Sequence, residues 1–262
     1  MTPVGQVTAS YSRRIERPWP WMLQPYETWE SERSVRRGNP DLRPEFIDSW
    51  DAGFQTAFGR NMLSAELYYR VTSDMFTWKD TVYPGVPNVI LRTARNVGTD
   101  YSLGGELMLN LSPLSWWGIQ LTGDVYDYRV KSPDTSRSSF RWNGRVNNDF
   151  RLPTGTRIQV SGYFSSPSVG LQGKEGRYFT TSASVRQNFL NRALSVTVVV
   201  RDILGTGRWE WESSGDGFQN SNVYVGEPRA VTLLVTWNFN NFRLSQRMRE
   251  GEEVPIQGPE QR

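Results

Sequence analysis

The sequence predicts an all-β protein, an antiparallel up-and-down transmembrane β-barrel wall. Three observations point that way: side chains that alternate between apolar and polar, runs too long for ordinary strands, and connections whose lengths alternate. Residues 138–165 show the first two. Phe140, Trp142, Gly144, Val146, Phe150 and Leu152 share one parity, interrupted by Asn148, and Arg141, Asn143, Arg145, Asn147, Asp149 and Arg151 share the other. After Pro153-Thr154-Gly155 the pattern resumes, with Ile158, Val160, Gly162 and Phe164 against Arg157, Gln159, Ser161 and Tyr163. Successive side chains on a strand point to opposite faces, so one face is apolar and the other polar. In a soluble sandwich the apolar face packs on a second sheet; in a membrane barrel it meets lipid and the polar face lines a lumen. Ser138–Leu152 runs 15 residues, against ~5–6 for a soluble strand and ~9–11 for a tilted bilayer crossing.

The other elements repeat the pattern. Val7, Ala9, Tyr11 and Ile15 mark a first strand, followed by a loop rich in Pro, Trp, Arg and Glu from Glu16 to Pro44. Phe46, Trp50, Ala52, Phe54 and Phe58 mark the second, with Asp48 and Thr56 as polar exceptions, and Gly59-Arg60-Asn61 turns it into the third, Leu63 to Val71. Thr72 to Gly98 reads as a long irregular connection broken by Pro84-Gly85 and Pro87. Tyr101–Leu111 and Trp117–Val125 flank the turn Ser112–Ser115, and Lys131–Arg137 leads to the hairpin described above. Ser166–Gly176 is a loop rich in Gly and Ser, Phe179–Phe189 and Leu194–Val200 flank Asn191-Arg192, and Leu204–Pro228 is a last long loop before Val231–Phe239. Ten strands result. Long connections follow the odd ones and short turns the even ones, the signature of outer-membrane barrels, in which outer loops are long and periplasmic turns short. On that pattern the final strand runs toward the periplasm. Residues 243–262, charged and without periodicity, read as a disordered periplasmic tail after a barrel portion spanning 1–242.

Composition excludes several functions. The 262 residues hold no cysteine and no histidine, which removes disulfides, thiolate chemistry, Cys/His zinc sites and His-dependent triads. No nucleophile motif or carboxylate pair stands out, so no enzyme, metal or cofactor is expected. A net charge of +3, with arginines dispersed along strands, speaks against nucleic acid. No run of 18 apolar residues exists, so no membrane helix is expected, although barrel strands remain compatible. Met1-Thr2-Pro3-Val4-Gly5 lacks the basic start and apolar core of a secretory signal, so an outer-membrane reading implies a piece of a longer protein.

Three stretches resemble the C-terminal barrel of TonB-dependent outer-membrane receptors, in the form common in Bacteroidota. They are Tyr11-Ser12-Arg13-Arg14-Ile15-Glu16-Arg17-Pro18, Gly38-Asn39-Pro40-Asp41-Leu42-Arg43-Pro44-Glu45, and Arg229–Phe239 with Asn241-Phe242. The second is the most specific. The resemblance implies the last ten strands of a larger Gram-negative outer-membrane barrel, with lipid, further N-terminal strands, a plug domain and the TonB energy-coupling complex as partners. An open ten-stranded sheet would leave two unpaired edges in hydrocarbon, so either a partner half or closure into a smaller barrel is expected.

The function this implies is import of a bulky nutrient: a glycan, a peptide or a metal chelate. Trp78, Trp209 and Trp211 lie in outer loops, where aromatic faces stack on ligands or else serve as interfacial and loop packing. Arg141, Asn143, Arg145, Asp149 and Arg151 face the lumen and the plug, or else solvate the lumen and pair across strands. Phe140, Trp142, Trp237 and Phe239 are expected in the lipid-facing belt. Two alternatives stand beside the importer: a soluble all-β carbohydrate-binding module, and a barrel that does not transport. The soluble module requires Leu107, Val160 and Val198 to be packed on protein.

Overall fold

A computed structural model describes residues 5–133, 135–226 and 229–238. In chain order the strands are β1 (Gly5–Glu16), β2 (Glu27–Ser31), β3 (Ser34–Arg37), β4 (Glu45–Phe58), β5 (Asn61–Val82) and β6 (Ile90–Leu114). Then come β7 (Trp117–Lys131), β8 (Ser136–Arg151), β9 (Thr156–Ser165), β10 (Ser168–Val169) and β11 (Gly173–Glu175). The last are β12 (Tyr178–Phe189), β13 (Leu194–Arg201), β14 (Arg208–Gly215), β15 (Phe218–Val225) and β16 (Val231–Trp237). Ten form one wall in the order β1-β4-β5-β6-β7-β8-β9-β12-β13-β16, each antiparallel to the next. These are the ten alternating segments read from the sequence.

Register joins the apolar stripes of separate strands into one surface. Leu111 stands opposite Ile119, then Asn148, Val160, Ala183, Val200 and Val231 in turn, so one row crosses seven strands. Val7, Phe54, Ala65, Leu107, Gly123 and Gly144 make another. A one-residue slip in any pairing would have turned that strand's apolar set to the other face. No second layer covers this surface among the described residues: Leu107 is 46% exposed, Val160 41% and Val198 38%. The soluble alternative fails at these positions.

Aromatic rings band both ends of the apolar face. Toward the long connections, Trp50 lies 5.3 Å from Tyr11 and 5.7 Å from Tyr69, and Trp142 stacks on Phe164 at 4.4 Å. Toward the short turns, Phe150 stacks on Trp117 at 5.8 Å and lies 6.2 Å from Trp116. From Phe140 to Phe150 is about 33 Å of strand and, at a tilt near 45°, about 23 Å of height. The polar exceptions are answered locally. Asp48 accepts a 2.7 Å bond from the Tyr11 hydroxyl with Arg13 3.8 Å away, and Asn148 Oδ1 accepts from Trp117 Nε1 at 3.2 Å.

The wall is not closed: among the described residues β1 and β16 are each paired along one edge only, so closure into a small ten-stranded barrel does not occur. Phe239 and residues 243–262 lie outside the described residues.

The long connections hold more structure than the sequence suggested. Thr72–Gly98 is not irregular, since β5 and β6 stay paired out to Val82 and Ile90 and the breakers Pro84, Gly85 and Pro87 occupy only the tip. Register shifts between Thr72 and Phe76, where Asp74 sits at φ 54° opposite the neighbourhood of Gly98 (φ 139°), and this irregularity interrupts the two-residue period. A Cβ at Gly98 would run into the Lys131 carbonyl. The loop from Glu16 to Pro44 contains the β2–β3 hairpin, and β3 adds to β6 as the one parallel pairing among the described strands. The loops Ser166–Gly176 and Leu204–Pro228 together supply a separate four-stranded sheet, β10-β11-β14-β15.

Candidate functional site: the loop-roofed cavity

The Gly38–Glu45 stretch shows how this end of the wall is fastened. A Cβ on Gly38 would collide with the Gln24 and Met22 carbonyls, so only glycine fits that approach. Asn39 donates from Nδ2 to the Ala94 carbonyl at 3.1 Å, Leu42 is buried with Met22 and Ala94, and Glu45 accepts from the Phe76 amide at 2.9 Å. The motif therefore ties the β2–β3 loop to the extension of β5 and β6. A second small core, Val35, Val89 and Leu91 with Tyr83 against it, lies nearer the tip. Tyr83 donates to Glu27 at 2.9 Å, which raises its pKa above the usual phenol value.

On the polar face, the β10–β11 segment folds down onto β8. The Val169 amide donates to Ser139 Oγ at 3.2 Å, Glu175 takes Arg141 Nη2 at 3.3 Å, and Ser168 Oγ donates to Glu175 at 2.8 Å. Gln172 clasps Asp80 from both sides, accepting from its amide at 2.8 Å and donating to its carbonyl at 3.0 Å. The Asp80 carboxylate is 5% exposed and takes Arg92 through Nε at 3.0 Å and Nη2 at 3.3 Å. This bond raises the Arg92 pKa further and keeps the guanidinium charged.

Between that segment and the wall lies a cavity of about 640 Å³. Its wall side is built from the polar parity of four successive strands: Tyr68 and Arg70 on β5, Ser102 and Glu106 on β6, Asp124, Tyr126 and Tyr128 on β7, and Arg141 and Asn143 on β8. Its other side is Ser168, Gly170–Gly173, Glu175, Trp211 and the Asp80–Arg92 pair. Aromatic faces beside paired charges can hold a bulky polar ligand by stacking and hydrogen bonding.

The sequence-derived residues fall in different places. Trp78 and Trp211 line the cavity. Trp78 also stacks on Trp21 at 5.5 Å and packs on the Met22 cluster, and Arg92 lies 5.9 Å from the Trp211 ring. Trp209 does not line it but tilts against Tyr178 at 5.9 Å. Arg141 and Asn143 line the cavity, with Asn143 donating to Asp124 at 3.0 Å. Arg145, Asp149 and Arg151 share their face farther toward the short turns: Arg145 lies 5.1 Å over Tyr163, and Asp149 bridges Arg151 and Arg157 at 2.6 Å each. Phe140, Trp142 and Trp237 stand exposed on the apolar face. Sequence reading missed Tyr68, Arg70, Glu106, Asp124, Tyr126, Asp80, Arg92 and Gln172. Their alignment depends on cross-strand register and on the loop that closes over them, and the only available signal was the density of Tyr and charge on the polar parity near the long connections.

Residues 2–239 match the outer membrane protein beta-barrel family. This chain belongs to that family. No curated protein matches its sequence. Among solved structures, the siderophore receptor PirA from Pseudomonas aeruginosa matches with a TM-score of 0.60 over 79% of this chain, at 13% identity. The chain covers 38% of that receptor, and the likeness is one of fold. Family membership places the protein in the outer membrane, as a transmembrane antiparallel wall whose bare apolar face fits that setting.

Proposed function

We propose that this chain is the barrel portion of a TonB-dependent outer-membrane receptor that imports a bulky nutrient, captured in the loop-roofed cavity. The observation that carries this reading is the placement of that cavity: it lies on the polar face, at the end where the long connections gather, while the opposite face is apolar and uncovered. The long connections then face the outside, and β16 leads the chain toward the periplasm. Phe140, Trp142 and Trp237 sit in the lipid-facing belts, joined by Phe239 after β16. Trp78 and Trp211 contact the ligand. Arg141, Asn143, Arg145, Asp149 and Arg151 face the lumen, where a plug domain would meet the last three. No bond is made or broken.

The test is uptake in cells carrying the full-length protein, with TonB present or deleted. Energy-dependent accumulation of a nutrient that disappears both on deleting this protein and on deleting TonB is the expected result. Accumulation unchanged by either deletion would favour the barrel that does not transport.

A further inference from the structure

Charges around the cavity are unevenly answered. Asp80 and Arg92 satisfy each other through two bonds. Arg141 has one 3.3 Å contact to Glu175 and one to the Tyr126 hydroxyl, and its buried Nε–H has no acceptor. Arg70 stacks at 4.2 Å on Tyr68, has Asp51 no nearer than 3.9 Å, and likewise leaves a buried Nε–H without an acceptor. A guanidinium fork binds best to a carboxylate that takes two parallel bonds, and neither fork has one.

One row farther along the wall the sign reverses. Glu106 faces Glu66 on one side and Asp124 on the other. Among the described residues no ion pair reaches Glu106 or Asp124, and Asp124 accepts only from the Asn143 amide. Like charges directly opposed on neighbouring strands destabilise a sheet. Asp124 and Glu106 lie one and two strands from Arg141 and two residues along, about 8 and 12 Å away by strand geometry. An extended tripeptide spans about 10 Å.

Resting on the importer reading above, we propose that the cavity takes a short peptide with free termini, its carboxylate in the Nε–Nη2 fork of Arg141 in place of Glu175 and its ammonium against Asp124 and Glu106. Trp211 and Tyr126 then flank the peptide's side chains. A neutral oligosaccharide answers neither charge, and an anionic chelate meets the acidic row unfavourably. Glu175 acts as a stand-in for the ligand carboxylate, carried on the segment that roofs the cavity.

The experiment titrates tri-alanine, N-acetyl-tri-alanine, tri-alanine amide and maltotriose into the full-length protein in lipid nanodiscs, read by calorimetry. Tri-alanine is expected to bind, with each cap weakening it at least tenfold. In Arg141→Gln the penalty for the amide should vanish while that for the acetyl cap remains; in the Glu106→Gln/Asp124→Asn double variant the reverse should hold. Raising the salt concentration should weaken tri-alanine more than either singly capped peptide. Equal binding of capped and uncapped peptides by the unmodified protein overturns the proposal. So does binding of maltotriose alone, which would leave the importer reading intact. Absence of any TonB-dependent uptake in cells carrying the unmodified full-length protein would overturn that reading too.

Discussion

The wall and the loop-bearing end of this molecule treat the same kinds of side chain in opposite ways. Along the wall, leucine, valine and phenylalanine stand uncovered on one face, with Leu67 68% and Leu103 61% exposed. At the loop-bearing end, Met22, Val35, Leu42, Val89, Leu91 and Ala94 are buried in two small clusters between strands and loops. Both arrangements obey the same transfer energetics in different solvents. Lipid accepts apolar surface, so the wall needs no second layer; water does not, so the extended hairpin needs the β2–β3 loop folded over it. The change falls near the bulge at Asp74 and Gly98, past the aromatic band of Tyr11, Trp50 and Tyr69.

The contrast can be broken from either side. The largest effect is expected for Val160→Arg, at about 2–4 kcal/mol for a cation near the bilayer midplane. The yield of heat-modifiable folded protein in lipid vesicles should fall sharply, while Gln159→Arg, one residue away on the polar face, should assemble normally. Equal yields for the two variants would invalidate the face assignment. Next, Leu91→Ala should cost about 2 kcal/mol, at the low end for a buried leucine because the cluster is small. Its signature is local: trypsin should cut faster between Arg33 and Arg37, with heat modifiability unchanged. The smallest effect concerns Tyr83, whose bond to Glu27 helps hold the same loop. Its folded pKa is raised, so the stabilisation is complete below the unfolded value and is lost as pH rises through the folded one. Cleavage in residues 33–37 should therefore accelerate above about pH 10, and Tyr83→Phe should remove that pH step.

The wall was legible because a two-residue period is a local property: each strand's parity could be assigned without knowing its neighbours, and the register then matched apolar to apolar. What escaped depends on context. The outer parts of β5 and β6 carry Thr77, Lys79, Asp80, Arg92 and Arg95 among their apolar residues, and the bulge at Asp74 shifts the phase, so no stripe continues through Gly98. The β14–β15 hairpin was available, since Asp216-Gly217 is a strong two-residue turn signal between alternating runs. It was obscured by the glycines around it. The cavity could not be read in advance, because Gln172 and Asp80, its two clasped sides, are far apart in sequence.

The bare margins of the wall impose a counting rule. β1 climbs toward the loop-bearing end and β16 descends from it, so the two outermost described strands of the wall already run in opposite directions. Strands alternate in direction around an outer-membrane cylinder. The seam can therefore be spanned by two, four or any other even number of inserted strands, whereas an odd number would force two neighbours to run the same way.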